Sequence, residues 1–462
     1  MKVWWRAFVW GFLLIVFLDF RPDRALHVAA GMTAQTLCSA VFVSGRDPDV
    51  IFRDTVKPMA SVAGPLLLYD VDRKARRVQA SVLGLFGTTA VFQDGRGCRI
   101  AYPDNLPVAS LAPPVLRVLE TPAFETANAG VRAALDRAFA EAPGETPRQM
   151  RAIVIVKDGR IAGERYASGY DPNTPLPSYS VAKSVTNALL GILVKQGKLK
   201  VESPAPVAAW RVPGDPRGAI TIDHLLRMAS GLGLAETGSG FDPVSRMLYL
   251  ERDMAGYAQA GSLYVSPGTQ WDYTSANTLV LSRIIGDAIG GGEDGYRAFA
   301  QAQLFDRIGM ANVTLAFDGA GTQVGSTEMY ATARDWARFG QLFLNDGVAP
   351  DGTRVLPEGW VTYSKRSTQG SSYGAGFWTN DGGGDFATAR IKGGMPADSF
   401  FASGNRGQRI YIMPSEHLVV VRLGMTHCPP DFDIVGDLHL LRDVIAALKT
   451  TDGQAVEGVA LH

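Results

Sequence analysis

Two strand-pair signals stand far apart in this chain with a long helical stretch between them, and that order restricts the fold more than any other feature. Ala152-Ile-Val-Ile-Val156 and Arg160-Ile-Ala-Gly-Glu164 flank Lys157-Asp158-Gly159. Asp-Gly suits the two positive-φ positions of a type I′ turn, so this segment predicts a β-hairpin. Gln408-Arg-Ile-Tyr-Ile412 and Leu418-Val-Val-Val-Arg422 flank Pro414-Ser-Glu416 and predict a second one. Helical patterns lie outside both. Val131, Leu135 and Phe139 recur at i, i+4 and i+8 within residues 129–142, and residues 438–448 close the region. Helix, strands, helical middle, strands, helix is the order of an α+β fold: an antiparallel sheet flanked by its N- and C-terminal helices on one face, with an inserted all-α subdomain.

The helical middle opens on Pro177-Ser-Tyr-Ser180-Val-Ala-Lys183. Val181, Val185, Leu189 and Ile192 share one face and Gly197 supplies the stop, so Ser180 falls in the first turn of a buried helix with Lys183 on the same side. A serine hydroxyl becomes a useful nucleophile when a base takes its proton. A lysine desolvated near a helix start loses its preference for the charged form, and the exposed amide there can stabilise an oxyanion. Serine followed three residues later by lysine arises about once by chance in a chain of this size, so the tetrapeptide alone decides nothing.

The surrounding text decides more. Residues 180–199 resemble the first box of the serine β-lactamase and penicillin-recognising family, and within it the class C-like branch that includes esterases and 6-aminohexanoate-dimer hydrolases. Thr221-Ile-Asp-His-Leu-Leu-Arg-Met-Ala-Ser-Gly-Leu232 is similar to the family segment ending in Ser-Gly-Leu, and Pro267-Gly-Thr-Gln-Trp-Asp-Tyr273-Thr-Ser275-Ala-Asn277-Thr278 follows. In that family the tyrosine of a Tyr-x-Asn or Tyr-x-Ser box faces the nucleophile. The resemblance assigns this place to Tyr273, with Ser275 as an orienting hydroxyl. Thr332-Ala-Arg-Asp-Trp-Ala-Arg-Phe-Gly340 and Gly359-Trp360 extend the likeness over roughly residues 120–450.

The third box, Lys/His-Thr/Ser-Gly in the family, precedes the proline of the last hairpin turn. Counting back from Pro414 gives Ala402-Ser403-Gly404-Asn405, whereas Lys392-Gly393-Gly394 lies too far upstream and reads as loop. The resemblance implies covalent acyl transfer on amide or ester bonds of small substrates. Lys183 and Tyr273 would deprotonate Ser180, the amides of Ser180 and Asn405 would hold the oxyanion, and Ser403 and Gly404 would line the substrate. Which of Lys183 and Tyr273 is the base stays open. Ala402 departs from the family: with no cation there to grip a β-lactam carboxylate, the expectation shifts from β-lactams and peptidoglycan peptides to neutral or amino-terminated substrates. Glu236 and Asp242, in the loop between the first two boxes, are candidates for gripping a substrate ammonium. The implied enzyme needs no cofactor.

Other classes fit less well. Lys and Arg number 45 against 45 Asp and Glu, so no net field draws the chain to nucleic acid. The 6 histidines are scattered without metal-ligand spacing, and His224 reads as packing within a helix. Gly370-Ser-Ser372-Tyr-Gly374 matches the nucleophile elbow of α/β-hydrolases in letters, but no buried strand precedes it and no helix pattern follows. A non-catalytic cell-envelope binding protein would have no use for Ser180, Lys183 and Tyr273 together.

At the N-terminus, Lys2 and Arg6 precede the apolar run of residues 7–18, and Ala29-Ala30-Gly31 follow after a charged stretch. Residues 1–30 therefore predict a cleaved signal peptide or a retained anchor attaching through residues 4–18, with the body exported to the periplasm. Export would let Cys38 and Cys98 form a disulfide and leave Cys428 free. Short β-like runs at Ala40-Val-Phe-Val43, Leu66-Leu-Leu-Tyr69 and Thr89-Ala-Val-Phe92 predict a small β-rich region over residues 38–110, ended by the proline-rich residues 107–114, ahead of a hydrolase domain over residues 120–450.

Overall fold

The computed structural model describes residues 21–102, 122–141, 147–427, 434–449 and 458–461. Residues 1–20, residues 107–114 and Cys428 lie outside them. The described residues begin with helix α1, Pro22–Phe42, followed by an antiparallel sheet in sequential order: β1 Leu67–Asp72, β2 Arg77–Val82, β3 Phe86–Gln93 and β4 Gly97–Ile100. Ala34, Leu37 and Cys38 of α1 pack with Val78, Ala80, Val82 and Ala90, and a disulfide joins Cys38 to Cys98 across this small core. Residues 40–43 are thus not a strand. Val41 and Phe42 are β-formers by propensity, but they end a helix whose buried face is fixed by the sheet beneath it, and packing overrides local preference. By length and composition α1 is apolar enough to cross a membrane. In this fold its buried face, which includes Thr33 and Gln35, is used against protein.

Helix α2, Ala129–Phe139, leads into the hairpin of β5 Met150–Lys157 and β6 Arg160–Tyr166, whose turn residues Asp158 and Gly159 have φ of 51° and 76°. Short β7, Leu176–Pro177, precedes α3, Ala182–Lys195. The helical part continues through α4, Pro243–Leu250, and α5, Ser275–Ile289. After β8 Thr314–Leu315, β9 Met329–Ala331 and α6 Ala333–Leu344, the chain returns through β10 Trp378–Thr379, β11 Phe400–Gly404, β12 Gln408–Met413 and β13 Leu418–Gly424 to α7, Ile434–Lys449, and β14 Val459–Ala460. The main sheet runs β10-β11-β12-β13-β5-β6-β14, so the two hairpins are joined edge to edge by β13 and β5 although they are far apart in sequence.

Both faces of this sheet are covered, which is why β5 reads as an unbroken apolar run. Ile153 and Ile155 face α2 and α7, packing with Val131, Leu135, Leu441 and Val444. Ala152, Val154 and Val156 face the helical part, in one core with Val185, Leu189, Trp336 and Phe339. Every residue of α3 from Ala182 to Leu193 is buried, Lys183 included.

Candidate active site

The three-stranded sheet β7-β9-β8 sets up the turn before Ser180. Leu176 and Pro177 pair with Ala331 and Tyr330, the Ser178 amide donates to the Met329 carbonyl at 2.8 Å, and the Ser178 hydroxyl donates to the Thr327 carbonyl at 3.1 Å. The chain then passes through Tyr179 at φ 45°, a costly conformation for a bulky residue, and enters α3 through the single 3-10 turn Tyr179–Val181. The Tyr179 hydroxyl reaches Met59 Sδ at 3.7 Å, so the N-terminal unit packs behind this turn.

Lys183 is 3% exposed, and its Nζ lies 2.9 Å from Ser180 Oγ, 2.9 Å from Ser275 Oγ and 3.1 Å from the Ser326 carbonyl oxygen. Burial lowers its pKa to about 8 against the opposing pull of the Glu236 charge. A carbonyl only accepts, and the Ser275 hydroxyl is free to accept. In neutral Lys183 the two N–H bonds serve those oxygens and the lone pair faces the Ser180 hydroxyl.

Tyr273 stacks beneath this amine, with Nζ 5.0 Å from its ring centroid, and its phenol is near enough to Ser180 for that hydroxyl to ease its ionisation slightly. Burial, then the nearby Tyr373 and Glu236, push its pKa well above the ordinary phenol value. The phenol is therefore protonated at neutral pH. Ser275 is the first residue of α5, and its amide donates to Glu236 Oε2 across the helix start. The Ser230 hydroxyl donates to Asn277 Oδ1 at 2.6 Å, which ties the Ser-Gly-Leu segment to the tyrosine box.

The third box lies along the turn that carries Ser180. A β-carbon on Gly404 would sit 2.4 Å from the Ser178 carbonyl oxygen and 3.2 Å from Ser180 N, so only glycine fits. Ala402 is fully buried, Ser403 is 8% exposed, and Asn405 is exposed at the strand end. Buried Arg409, opposite Ser403, donates to the Gly404 carbonyl at 2.7 Å.

Asp242 is committed elsewhere. It caps α4, accepting from the Ser245 amide at 2.9 Å, the Ser245 hydroxyl at 2.7 Å and the Ser239 amide at 3.1 Å. Burial opposes its ionisation, but these donors outweigh it and hold the carboxyl below its ordinary value. Such a carboxylate is poorly placed to grip a ligand. His224 completes a capping box with Thr221, and Lys392 ends the short helix Asp385–Lys392 rather than lying in a loop. Ser372 sits in an irregular segment with no strand leading in and no helix leading out among the described residues.

Sequence reasoning missed an aromatic wall. Tyr373 and Trp378 lie 5.6 and 5.8 Å from the Tyr273 ring, 5.2 Å from each other, and Trp271 stands 6.3 Å from Trp378. Trp271 was open to discovery, since residues i and i+2 of an extended segment share a side with Tyr273. Tyr373 was hidden inside the Gly370–Gly374 text. The Ser326 carbonyl carried no signal at all, because any residue type supplies one.

The family model described as Beta-lactamase matches residues 135–440. The chain belongs to the beta-lactamase family. Within this family of hydrolases, the 6-aminohexanoate-dimer hydrolase of Paenarthrobacter ureafaciens is 24% identical over 286 residues, covering 59% of this chain and 71% of that protein. Penicillin-binding protein 4 of Amycolatopsis lactamdurans is 29% identical over 209 residues, 39% of this chain and 53% of that protein. Among solved structures, a Bacillus anthracis protein named as a 6-aminohexanoate-dimer hydrolase superposes with a TM-score of 0.55 at 22% identity, covering 66% of this chain and 80% of that one. A family VIII carboxylesterase gives 0.54 at 16% identity, over 70% and 97%. At these identities the structural likeness is one of fold. The mixed α/β architecture is that of β-lactamase and transpeptidase-fold proteins, as the sequence order of hairpins and helices implies.

Proposed function

We propose that this beta-lactamase family member is an exported serine hydrolase that cleaves amide or ester bonds of small acyl substrates through an acyl-enzyme on Ser180. The observation that carries this reading is the Lys183 amine, buried and held between Ser180 Oγ, Ser275 Oγ and the Ser326 carbonyl. Neutral Lys183 takes the Ser180 proton as Oγ attacks the substrate carbonyl, and the amides of Ser180 and Asn405 receive the oxyanion. Tyr273 keeps its proton at rest, so its role is to pass a proton toward the leaving amine or alcohol while Lys183 is the base. Lys183 returns its proton to Tyr273, water attacks the acyl carbonyl as it gives a proton to neutral Lys183, and the carbon–Oγ bond breaks as Ser180 Oγ takes that proton and the acid leaves.

Substrate choice follows from the walls. Trp271 and Trp378, backed by buried Tyr373, offer apolar surface to an acyl chain, Glu236 supplies a negative charge toward an amino-terminated substrate, and Ala402 supplies no cation for a β-lactam carboxylate. Turnover of a p-nitrophenyl ester, a 6-aminohexanoate dimer and nitrocefin by the same preparation tests this. Ester or dimer hydrolysis exceeding that of nitrocefin is expected; rapid nitrocefin turnover would refute the use made of Ala402.

A further inference from the structure

The N-terminal unit exposes apolar side chains at one end of its sheet. Val62 is 89% exposed, Leu85 77%, Leu68 and Leu83 58% each, and Leu66 40%. They come from two stretches, Ser61-Val-Ala-Gly-Pro-Leu-Leu-Leu68 and Ser81-Val-Leu-Gly-Leu-Phe86, and neither stretch holds a charged residue. The stretches meet: Leu67 pairs with Val82, and the Leu83 amide donates to the Leu66 carbonyl at 2.9 Å. The far end of the same hairpin is its opposite in character, with Arg73, Lys74, Arg76 and Arg77 exposed and ion pairs from Arg76 to Asp94 and from Arg77 to Asp72. Isolated exposed leucines are ordinary, but a contiguous uncharged cluster marks a surface that meets something apolar.

Leu83 sharpens the point. It has φ 55° and Gly84 has φ 73°, with the Leu85 amide closing the two-residue turn on the Val82 carbonyl at 3.1 Å. Asn-Gly is the sequence such a turn favours, and a leucine in the left-handed region costs stability. The fold alone would be better served by asparagine, so the exposed leucine is explained by something outside the fold.

We propose that this tip seats in the surface of a lipid bilayer to which the apolar residues 7–18 attach the chain. The inference rests on reading those residues as a retained anchor. Two observations bear on this: one brings the start of α1 to the tip, and the other supports retention. α1 begins at Pro22, and His27, little more than one turn along, meets Phe86 edge-on with ring centroids 5.3 Å apart. Ala29-Ala30-Gly31, the small residues where a leader would be cut, lie inside α1, with Ala30 fully buried and a β-carbon on Gly31 only 3.0 Å from Tyr249 Cβ. Cleavage there would sever a packed helix. An apolar run of about a dozen residues is also short of the roughly 20 that span a bilayer, so stable attachment calls for a second apolar contact. The tip supplies it, with the basic end of the hairpin held away in water.

The test uses the full chain in a Cys428→Ser background, bound to vesicles of phosphatidylethanolamine and phosphatidylglycerol that carry spin-labelled lipid. An environment-sensitive fluorophore is placed at Leu85→Cys and, in a separate preparation, at Ala75→Cys in the basic turn. Blue-shifted emission and its loss to lipid quenching at position 85, with neither at position 75, are expected. Water-like emission at position 85 from vesicle-bound protein overturns the seating of the tip and leaves the anchor standing. Absence of protein from the vesicles overturns the anchor and the proposal with it. A blue shift without lipid quenching, accompanied by a doubled mass, assigns the tip to a second copy and also overturns it. Should Leu85→Cys fail to fold, Val62→Cys reads the same patch from a site that is almost fully exposed.

Discussion

The proposed acyl transfer on Ser180 turns on how one amine and one phenol are tuned by burial in opposite senses. Lys183 is lowered to about 8, so a useful fraction of it is neutral near physiological pH, whereas Tyr273 is pushed up and stays protonated. The rate constant kcat/KM should therefore rise with pH through about 8 and level off above it, as the base loses its proton. Glu236 raises the Lys183 value, so Glu236→Gln should move that midpoint to lower pH, and a midpoint unchanged or moved upward would contradict the assignment. Lys183→Arg keeps the charge but cannot release a proton at these pH values, and a loss in kcat/KM of about a thousandfold or more is expected from steady-state kinetics, similar to Lys183→Ala. The meeting of Ser180, Lys183 and Tyr273 in space was legible in sequence because helical spacing and box order carry it. Asp242 was legible as a carboxylate in the right loop but not as a helix cap, since its donors Ser239 and Ser245 are ordinary neighbours until the turn is formed.

At the scale of elements, strand β11 works by closeness. Gly404 leaves room for the Ser178 carbonyl and the Ser180 amide, so Gly404→Ala should push the strand off the nucleophile turn and lower kcat by about a hundredfold or more, the cost of a displaced oxyanion donor, with KM less affected. Retained circular dichroism would separate this from unfolding. The turn at Leu83 makes the reverse prediction: Leu83→Asn should raise stability by about 1 kcal/mol, read as a higher denaturation midpoint in urea. Both hairpins of the main sheet were legible, through Asp158-Gly159 and through β-forming runs bounded by the turn residues Pro414-Ser-Glu416. Helix α1 was not. Its apolar face follows a leader-like run, and its last residues are β-formers held in a helix by the disulfide and the sheet below.

Across the whole molecule, the N-terminal unit is stitched to the hydrolase fold. Arg96 pairs with Glu293 at 2.7 Å, Arg99 pairs with the same carboxylate at 3.1 Å, and Tyr179 reaches Met59 directly behind the turn that carries Ser180. The Cys38–Cys98 bridge closes a loop with a sequence separation of 60, and its loss should cost about 4 kcal/mol through the freer unfolded chain. Thermal unfolding with reductant, and of the Cys38→Ser/Cys98→Ser protein, should show a lower transition; an unchanged one would mean that the bridge bears no load. This union was invisible in sequence, because contacts such as Arg99 with Glu293 join residues with no pattern in common. The claim on which the rest depends is that Ser180 is the nucleophile. Mass spectrometry after reaction with a fluorophosphonate probe measures this most directly: label on Ser180, lost in Lys183→Ala, is the predicted result, and label on Ser372, or none on folded protein, would contradict it.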